Sequence, residues 1–290
     1  MKTIIISLFL LLLSLYGLAQ TDSLDTLSGT SLPGKESGQS KHSLYAGLGY
    51  GNNMIYLGST ISGNQPFGYA AITYGFKDEL FATVSPVYLS GMSPLISFYS
   101  GTVSWTHTFN SWFDMAANVS RYHVAPSLID TLFNHFSYGN VTFGFDWKLI
   151  YTTISGGVLL STENRGYLQV KNSRYFQTPE FSKKKLFFSF DPYFNMLFGT
   201  VTKVETVEGT TITLTPPFHS NGKHNQSGSG TKYTNIFSLM EIDLGIPVDF
   251  YTDRFTLEIE PSYVFSIYDD ALYPGPKGLI FMLSCYLRIL

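Results

Sequence analysis

Tyr99-Ser-Gly-Thr-Val-Ser-Trp-Thr-His-Thr-Phe-Asn-Ser-Trp-Phe-Asp-Met-Ala-Ala-Asn-Val-Ser120 decides how this chain folds. From Tyr99 every second residue is bulky or apolar with one gap: Tyr99, Gly101, Val103, Trp105. Between them runs a hydroxyl row, Ser100, Thr102, Ser104, Thr106 and Thr108. After Trp112 the alternation resumes, with Phe113, Met115, Ala117 and Val119 against Asp114, Ala116, Asn118 and Ser120. A period of two puts each set on one face of a strand. Pairing Thr108 with Asp114 sets Phe109 opposite Phe113, so register and pattern agree. The result is a hairpin with one apolar and one polar face. In a soluble sheet the apolar face lies under a second layer, whereas in a membrane-spanning barrel it meets lipid.

Composition favours the second arrangement. Charged residues make up 13% of the 290, about half the usual ~25% of a soluble domain. The mean hydropathy of +0.08 is too low for a helical membrane protein and suits alternation of apolar with polar residues. A net charge of -3 and a pI near 6.0 give no reason to expect nucleic acid as a partner. Residues 1–19 have the layout of a signal peptide: Lys2, an apolar core from Ile4 to Leu13, and a small-x-small site at Gly17-Leu-Ala19. Residue 20 is glutamine, so no lipid-bearing cysteine follows that site. Residues 20–42, rich in Ser, Gly and Thr, are expected to form a flexible tail. Cys285 is the only cysteine, which excludes an intrachain disulfide framework.

Further strands follow at intervals of about a dozen residues. A glycine-rich strand is expected from Ser43 to about Ile61, interrupted at Asn52-Asn53. Phe67–Phe76, Leu80–Ser90, Leu95–Thr108, Trp112–His123, Phe136–Asp146 and Lys148–Leu160 come next. Gly166–Phe176, Lys185–Thr202, Tyr233–Phe250, Arg254–Tyr268 and Gly278–Leu290 complete a set of twelve. The links alternate in length. Phe76–Leu80, Phe109–Trp112, Asp146–Lys148 and Tyr251–Arg254 are tight; Val124–His135, Val204–Lys232 and Asp269–Lys277 are long. Aromatics gather at the tight turns, among them Phe76, Phe81, Phe109, Trp112, Trp147 and Tyr251. Tight turns at one end, long loops at the other and an interfacial aromatic belt are the layout of an up-and-down transmembrane β-barrel.

In these features the chain resembles the Gram-negative outer-membrane β-barrel proteins. The signal peptide, the hairpin series and the last strand carry the resemblance, with Phe281, Leu283, Cys285, Leu287 and Ile289 alternating up to Leu290. The resemblance covers the chain from about Ser43 and is architectural. It implies an outer-membrane location, contact with outer-membrane lipid, and recognition of the terminal strand by the barrel-assembly machinery. In that family the strand ends on an aromatic, and here it ends on Leu290. A monomer without a cofactor is expected.

Three groups of residues stand out. The prolines Pro86, Pro192 and Pro261 each fall inside a predicted strand, six to eight residues after a tight turn. Proline gives up a ladder hydrogen bond, so they form a belt of bulges at one height or an incidental set. Alternation also puts Asp191, Glu241, Asp243, Glu258 and Glu260 on inner faces, and the Tyr251–Arg254 turn places Asp243 near Glu260. One reading is an internal salt-bridge network with Lys148, Lys171, Arg254 or Arg288. The other is a wall that attracts cations or binds a divalent ion through carboxylates. Third, Phe218-His-Ser-Asn-Gly222 is locally similar to the His-x-Ser-Asn-Gly strand of outer-membrane phospholipases. Here His219 and Ser220 are adjacent and point oppositely on a strand, among Pro and Gly residues of loop composition. General-base activation needs both groups within hydrogen-bond reach, so no enzymatic activity is expected. The resulting expectation is a narrow passive channel for small polar or cationic solutes. A structural or surface-interaction barrel acting through residues 204–232 is the alternative, and a lipid-modifying enzyme the third.

Overall fold

The computed structural model describes residues 41–129, 132–161, 164–181, 186–206, 209–213, 232–268 and 275–290. The signal peptide, nearly all of the tail, Lys183 to Lys185 and the His219-Ser220 stretch lie outside the described residues.

The zigzag segments become strands in the expected order. They are β1 (His42–Gly51), the short β2 (Ile55–Tyr56) and β3 (Ser59–Thr60), β4 (Phe67–Phe76), β5 (Leu80–Leu89), β6 (Phe98–Asn110) and β7 (Phe113–Val124). Next come β8 (Phe136–Asp146), β9 (Tyr151–Leu160), β10 (Arg165–Ser173), β11 (Phe176–Gln177), β12 (Phe187–Phe190), β13 (Tyr193–Thr206) and β14 (Gly209–Thr213). The last are β15 (Lys232–Gly245), β16 (Val248–Tyr251), β17 (Phe255–Ser266) and β18 (Lys277–Arg288). The pairs β10/β11, β12/β13 and β15/β16 are each one stave with a short break. Twelve antiparallel staves therefore pair in sequence order, and β1 with β18 closes the barrel.

The two faces sort as alternation requires. Val103, Val119, Val84 and Ile72 are 53%, 64%, 60% and 62% exposed on the outside. Ser100, Thr102, Ser104 and Ser120 are buried inside. No second layer covers the apolar face among the described residues, so acyl chains are its natural solvent. Inside, cross-strand hydroxyl pairs line the wall: Thr73 with Thr83 at 2.9 Å, Thr102 with Ser120 at 2.9 Å and Thr142 with Ser155 at 2.7 Å.

Registers correct the sequence reading in three places. Thr108 does pair with Asp114, but Phe109 is then extruded as a bulge and its ring stacks on Phe113 at 5.3 Å. Tyr251 pairs with Thr256, two residues further along β17 than a turn closed at Arg254 gives. The turn after Asp146 runs to Tyr151, with Lys148 in a left-handed conformation at φ 69. Phe81 and Tyr251 follow the inner parity of their strands and leave the outer aromatic belt; Tyr251 stacks on Phe187 inside at 4.8 Å.

The first predicted strand stops at Gly51. Residues 52–66 instead leave the wall and enter the barrel. Asn52 holds the departure point by exchanging hydrogen bonds with Phe281. The hairpin β2–β3 turns through Leu57 (φ 48) and Gly58 (φ 78), both left-handed, as a two-residue type I′ turn requires. Its Tyr56 ring reaches the far wall, 5.4 Å from Tyr122 and 5.9 Å from Phe136 and Tyr138. The Gly58 carbonyl accepts a 2.6 Å hydrogen bond from Tyr268. Around this plug the long-loop half of the barrel is packed with apolar side chains, with Val87, Leu89, Phe98, Phe136, Leu159 and Met240 wholly enclosed. Leu128, Leu132 and Phe133 join the packing from the segment between β7 and β8.

Beyond the start of β10, β14 takes the edge of β13 that β10 leaves free, from Thr202 to Thr206. The β13–β14 hairpin thus prolongs one stave. The remainder of the 204–232 loop, 207–208 and 214–231, lies outside the described residues.

Candidate functional site: an acidic wall below the plug

The tight-turn half of the lumen is polar, and its charge is gathered on the staves β12/β13, β15/β16 and β17. Strand parity turns Asp191, Glu241, Asp243, Glu258 and Glu260 inward; Glu241, Asp243 and Glu258 are buried and Asp191 and Glu260 half-buried. A sixth carboxyl, Asp249, is 4% exposed and pairs directly across the ladder with Glu258. Sequence reasoning passed over Asp249, although it has the parity of Asp243 six residues earlier. Ser189 donates to Asp249 Oδ2 at 2.8 Å from the other side.

Tyr193 ties the upper part together. Its hydroxyl lies 2.9 Å from Asp243 Oδ2 and 2.7 Å from Glu260 Oε1. The two acids are not ladder neighbours, because Asp243 faces Val264 and Glu260 faces Met282. A phenol ring spans the gap, and it has room because it lies over Gly245, where a Cβ would strike the ring. The carboxyl oxygens then stand within about 5–6 Å of each other, where two unit charges repel by about 3 kcal/mol at an effective dielectric near 20. A buried arrangement of this kind calls for positive charge nearby.

The four expected basic partners do not gather to supply it. Lys148 and Arg254 lie in tight turns, exposed, and the Lys148 carbonyl accepts from Arg174. Arg288 sits at the rim, its Nε donating to the Leu290 carbonyl at 3.1 Å. These three placements correct the internal salt-bridge network read from sequence: a charge within a few residues of a strand end reaches solvent more cheaply than it enters the lumen. Lys171 alone enters. It faces Asn195 across the ladder, and its Nζ stands 4.3 Å from the centre of the Tyr193 ring, a cation–π contact. Among the described residues, His107 Nδ1 lies 3.0 Å from Glu79 Oε1, at the tight-turn rim. Among the described residues no three His, Cys, Asp or Glu side chains gather as a metal centre by themselves.

The prolines mark breaks in the same wall. Ser173 pairs with Tyr193 and Phe176 with Phe190, so register is kept on both sides of Pro192. Gly245 pairs with Ser262 and Val248 with Ile259, so it is kept past Pro261 as well. Tyr69 pairs with Val87 and Ile72 with Val84, skipping Ser85 and Pro86, while Ser85 Oγ donates to the Ala70 carbonyl at 2.7 Å. Each proline thus falls at a gap in one ladder, without a bulge. Pro247, which the sequence reading did not include, falls at the gap facing Pro261: the Ile246 amide donates to the Pro261 carbonyl and the Asp191 amide to the Pro247 carbonyl. The register shift in this region lies elsewhere, at Met240, which bulges out of pairing with β13 and turns into the apolar plug.

No protein-family model matches the chain, and no curated protein does. Solved structures do. LpxR from Salmonella typhimurium is similar at a TM-score of 0.44 and 7% identity, over 84% of this chain and 99% of that one. The NanC porin is similar at 0.43 and 8%, over 85% and 100%. Omp33 of Acinetobacter baumannii gives 0.38 and 9%, over 87% and 100%. The likeness is to outer-membrane β-barrels. At these identities it concerns architecture, and the exposed apolar exterior and strand count rest on the geometry above.

Proposed function

We propose that the protein is an outer-membrane barrel acting as a narrow conduit for small polar or cationic solutes, held shut by the residue 52–66 plug. The observation that carries this reading is the division of the lumen: hydroxyls and carboxyls line the half towards the tight turns, under an apolar seal towards the long loops. With the tight turns periplasmic, as in barrels generally, the polar half faces the periplasm and the seal faces outside. Six carboxyls gathered on one inner wall are costly in a barrel that serves only as a scaffold. They are useful where cations are drawn in.

Planar-bilayer recording tests it. The wild-type barrel is expected to show rare, brief openings, and removal of residues 54–63 a steady cation-selective current. A milder Tyr56→Ser/Leu57→Ser variant covers the case in which the deletion fails to fold. A folded, heat-modifiable barrel that stays silent in both variants overturns the conduit. That outcome favours a structural or surface-interaction barrel, for which the enclosed apolar packing and the prolonged β13–β14 hairpin speak. Detergent-phase lipase activity lost in His219→Ala would instead support a lipid-modifying enzyme.

A further inference from the structure

One hydroxyl proton is shared between too many acceptors at the top of the acidic wall. Tyr193 contacts Asp243 Oδ2 and Glu260 Oε1 together. A phenol donates one proton, so only one of these contacts is satisfied by it at a time. Beside them stands Asn195, the direct ladder partner of Asp243 on the same inner face. Asn195 is 5% exposed, and its Oδ1 is buried and accepts no hydrogen bond. A buried amide oxygen without a donor is costly, more so beside carboxylates. The nearest ammonium, Lys171, stands over the Tyr193 ring and supplies a single positive charge to a wall of six carboxyls. A proton on one carboxyl serves either the second Tyr193 contact or Asn195 Oδ1, and leaves the other unmet. A cation relieves both. The donors are all oxygen: two carboxyls, an amide carbonyl and a phenol. Hard cations take such donors, and Ca2+ tolerates an irregular set completed by water, whereas Mg2+ demands near-octahedral order.

We propose that Asn195, Asp243 and Glu260, gathered around Tyr193, form a binding site for a hard divalent cation of the Ca2+ class on the inner wall. Gly245 is its positioning residue, since it lets the Tyr193 ring lie flat across the wall. The proposal rests on the conduit reading for the route by which the ion arrives, and it names the ion that this route would hold.

Terbium(III) titrated into full-length protein refolded in detergent provides the test, because an adjacent tyrosine sensitises its emission. Saturable tyrosine-excited emission is expected, displaced by Ca2+ and not by an equal concentration of Na+. Affinity should fall at least tenfold in D243N/E260Q and in N195L, and remain unchanged in D253N, on an exposed turn. Absence of saturable emission, or emission in N195L and the double variant equal to that of wild type, overturns the site. Should the double variant fail to show heat-modifiable folding, N195L decides alone. Binding is read without a membrane, so a silent barrel that binds terbium keeps the site and loses the conduit. A conducting barrel that binds none does the reverse.

Discussion

His135 shows how much one imidazole contributes at the long-loop end. Its Nδ1 accepts the Val124 amide at 3.1 Å, which fixes the neutral tautomer with the proton on Nε2. Its ring stacks on His123, centres 4.2 Å apart, and Arg121 stands on the same strand. Burial, then His123, then Arg121 push its proton affinity below the ordinary histidine value. As pH falls below about 6.5 the unfolded chain takes up the proton first. The contribution of His135 is therefore complete above that pH and is lost as pH drops towards the folded-state value. Urea titrations of the refolded barrel at pH 7.5 and 5 should show this loss, and His135→Gln should flatten it while costing about 1 kcal/mol at the higher pH. Acid sensitivity unchanged in that variant refutes the assignment. At this scale the sequence told inside from outside correctly at Asp191, Asp243 and Glu260, because a strand has only two faces. It could not show that Tyr193 would join two acids four residues out of register, since a ring lying along the wall leaves no period.

At the scale of elements, the twelve staves were legible and the plug was not. Met54, Ile55 and Tyr56 read as the continuation of β1, because an apolar run has the same pattern whether it faces lipid or folds inward. The signal present was Asn52-Asn53 before the run and Leu57-Gly58 within it. Asn52 bonds to Phe281 and to the Leu279 carbonyl, and Asn53 to Asn64, Thr60 and Ser62, which turns the chain off the wall. Phe136 is where the plug meets the far wall: it is fully buried, 4.3 Å from the Tyr122 ring and 5.4 Å from Phe133. Phe136→Ala should cost about 3–5 kcal/mol by leaving a cavity under Tyr56. Because that cavity lies in the seal, the same variant should open more often in bilayers. Tyr268→Phe, which deletes the bond to Gly58, should cost about 1 kcal/mol and raise the opening rate less. Equal conductance in wild type and Phe136→Ala would mean that the packing around Tyr56 is not the barrier.

For the whole molecule the governing question is what solvates the outside. Val119, in the middle of β7, is 64% exposed, with Val103 beside it across the β6–β7 ladder at 53%. On a water-soluble protein an exposed valine away from special features is replaced by arginine within about 0.5 kcal/mol. On a lipid-facing strand the same change at the bilayer midplane costs about 2–4 kcal/mol. The two environments thus predict different numbers for one substitution. Val119→Arg, refolded into vesicles and titrated with urea, should lose at least about 2 kcal/mol. Leu290→Lys, at the rim where charge reaches water, should lose at most about 1 kcal/mol. Ser120→Ala, one residue from Val119 but on the inner face, removes only the hydrogen bond to Thr102 and should cost about 1 kcal/mol. A Val119→Arg barrel as stable as wild type would mean that the apolar band meets something other than acyl chains. The low charge, the alternation and the twelve-stave closure would then require a partner layer around the barrel, and a polar half facing the periplasm would no longer follow.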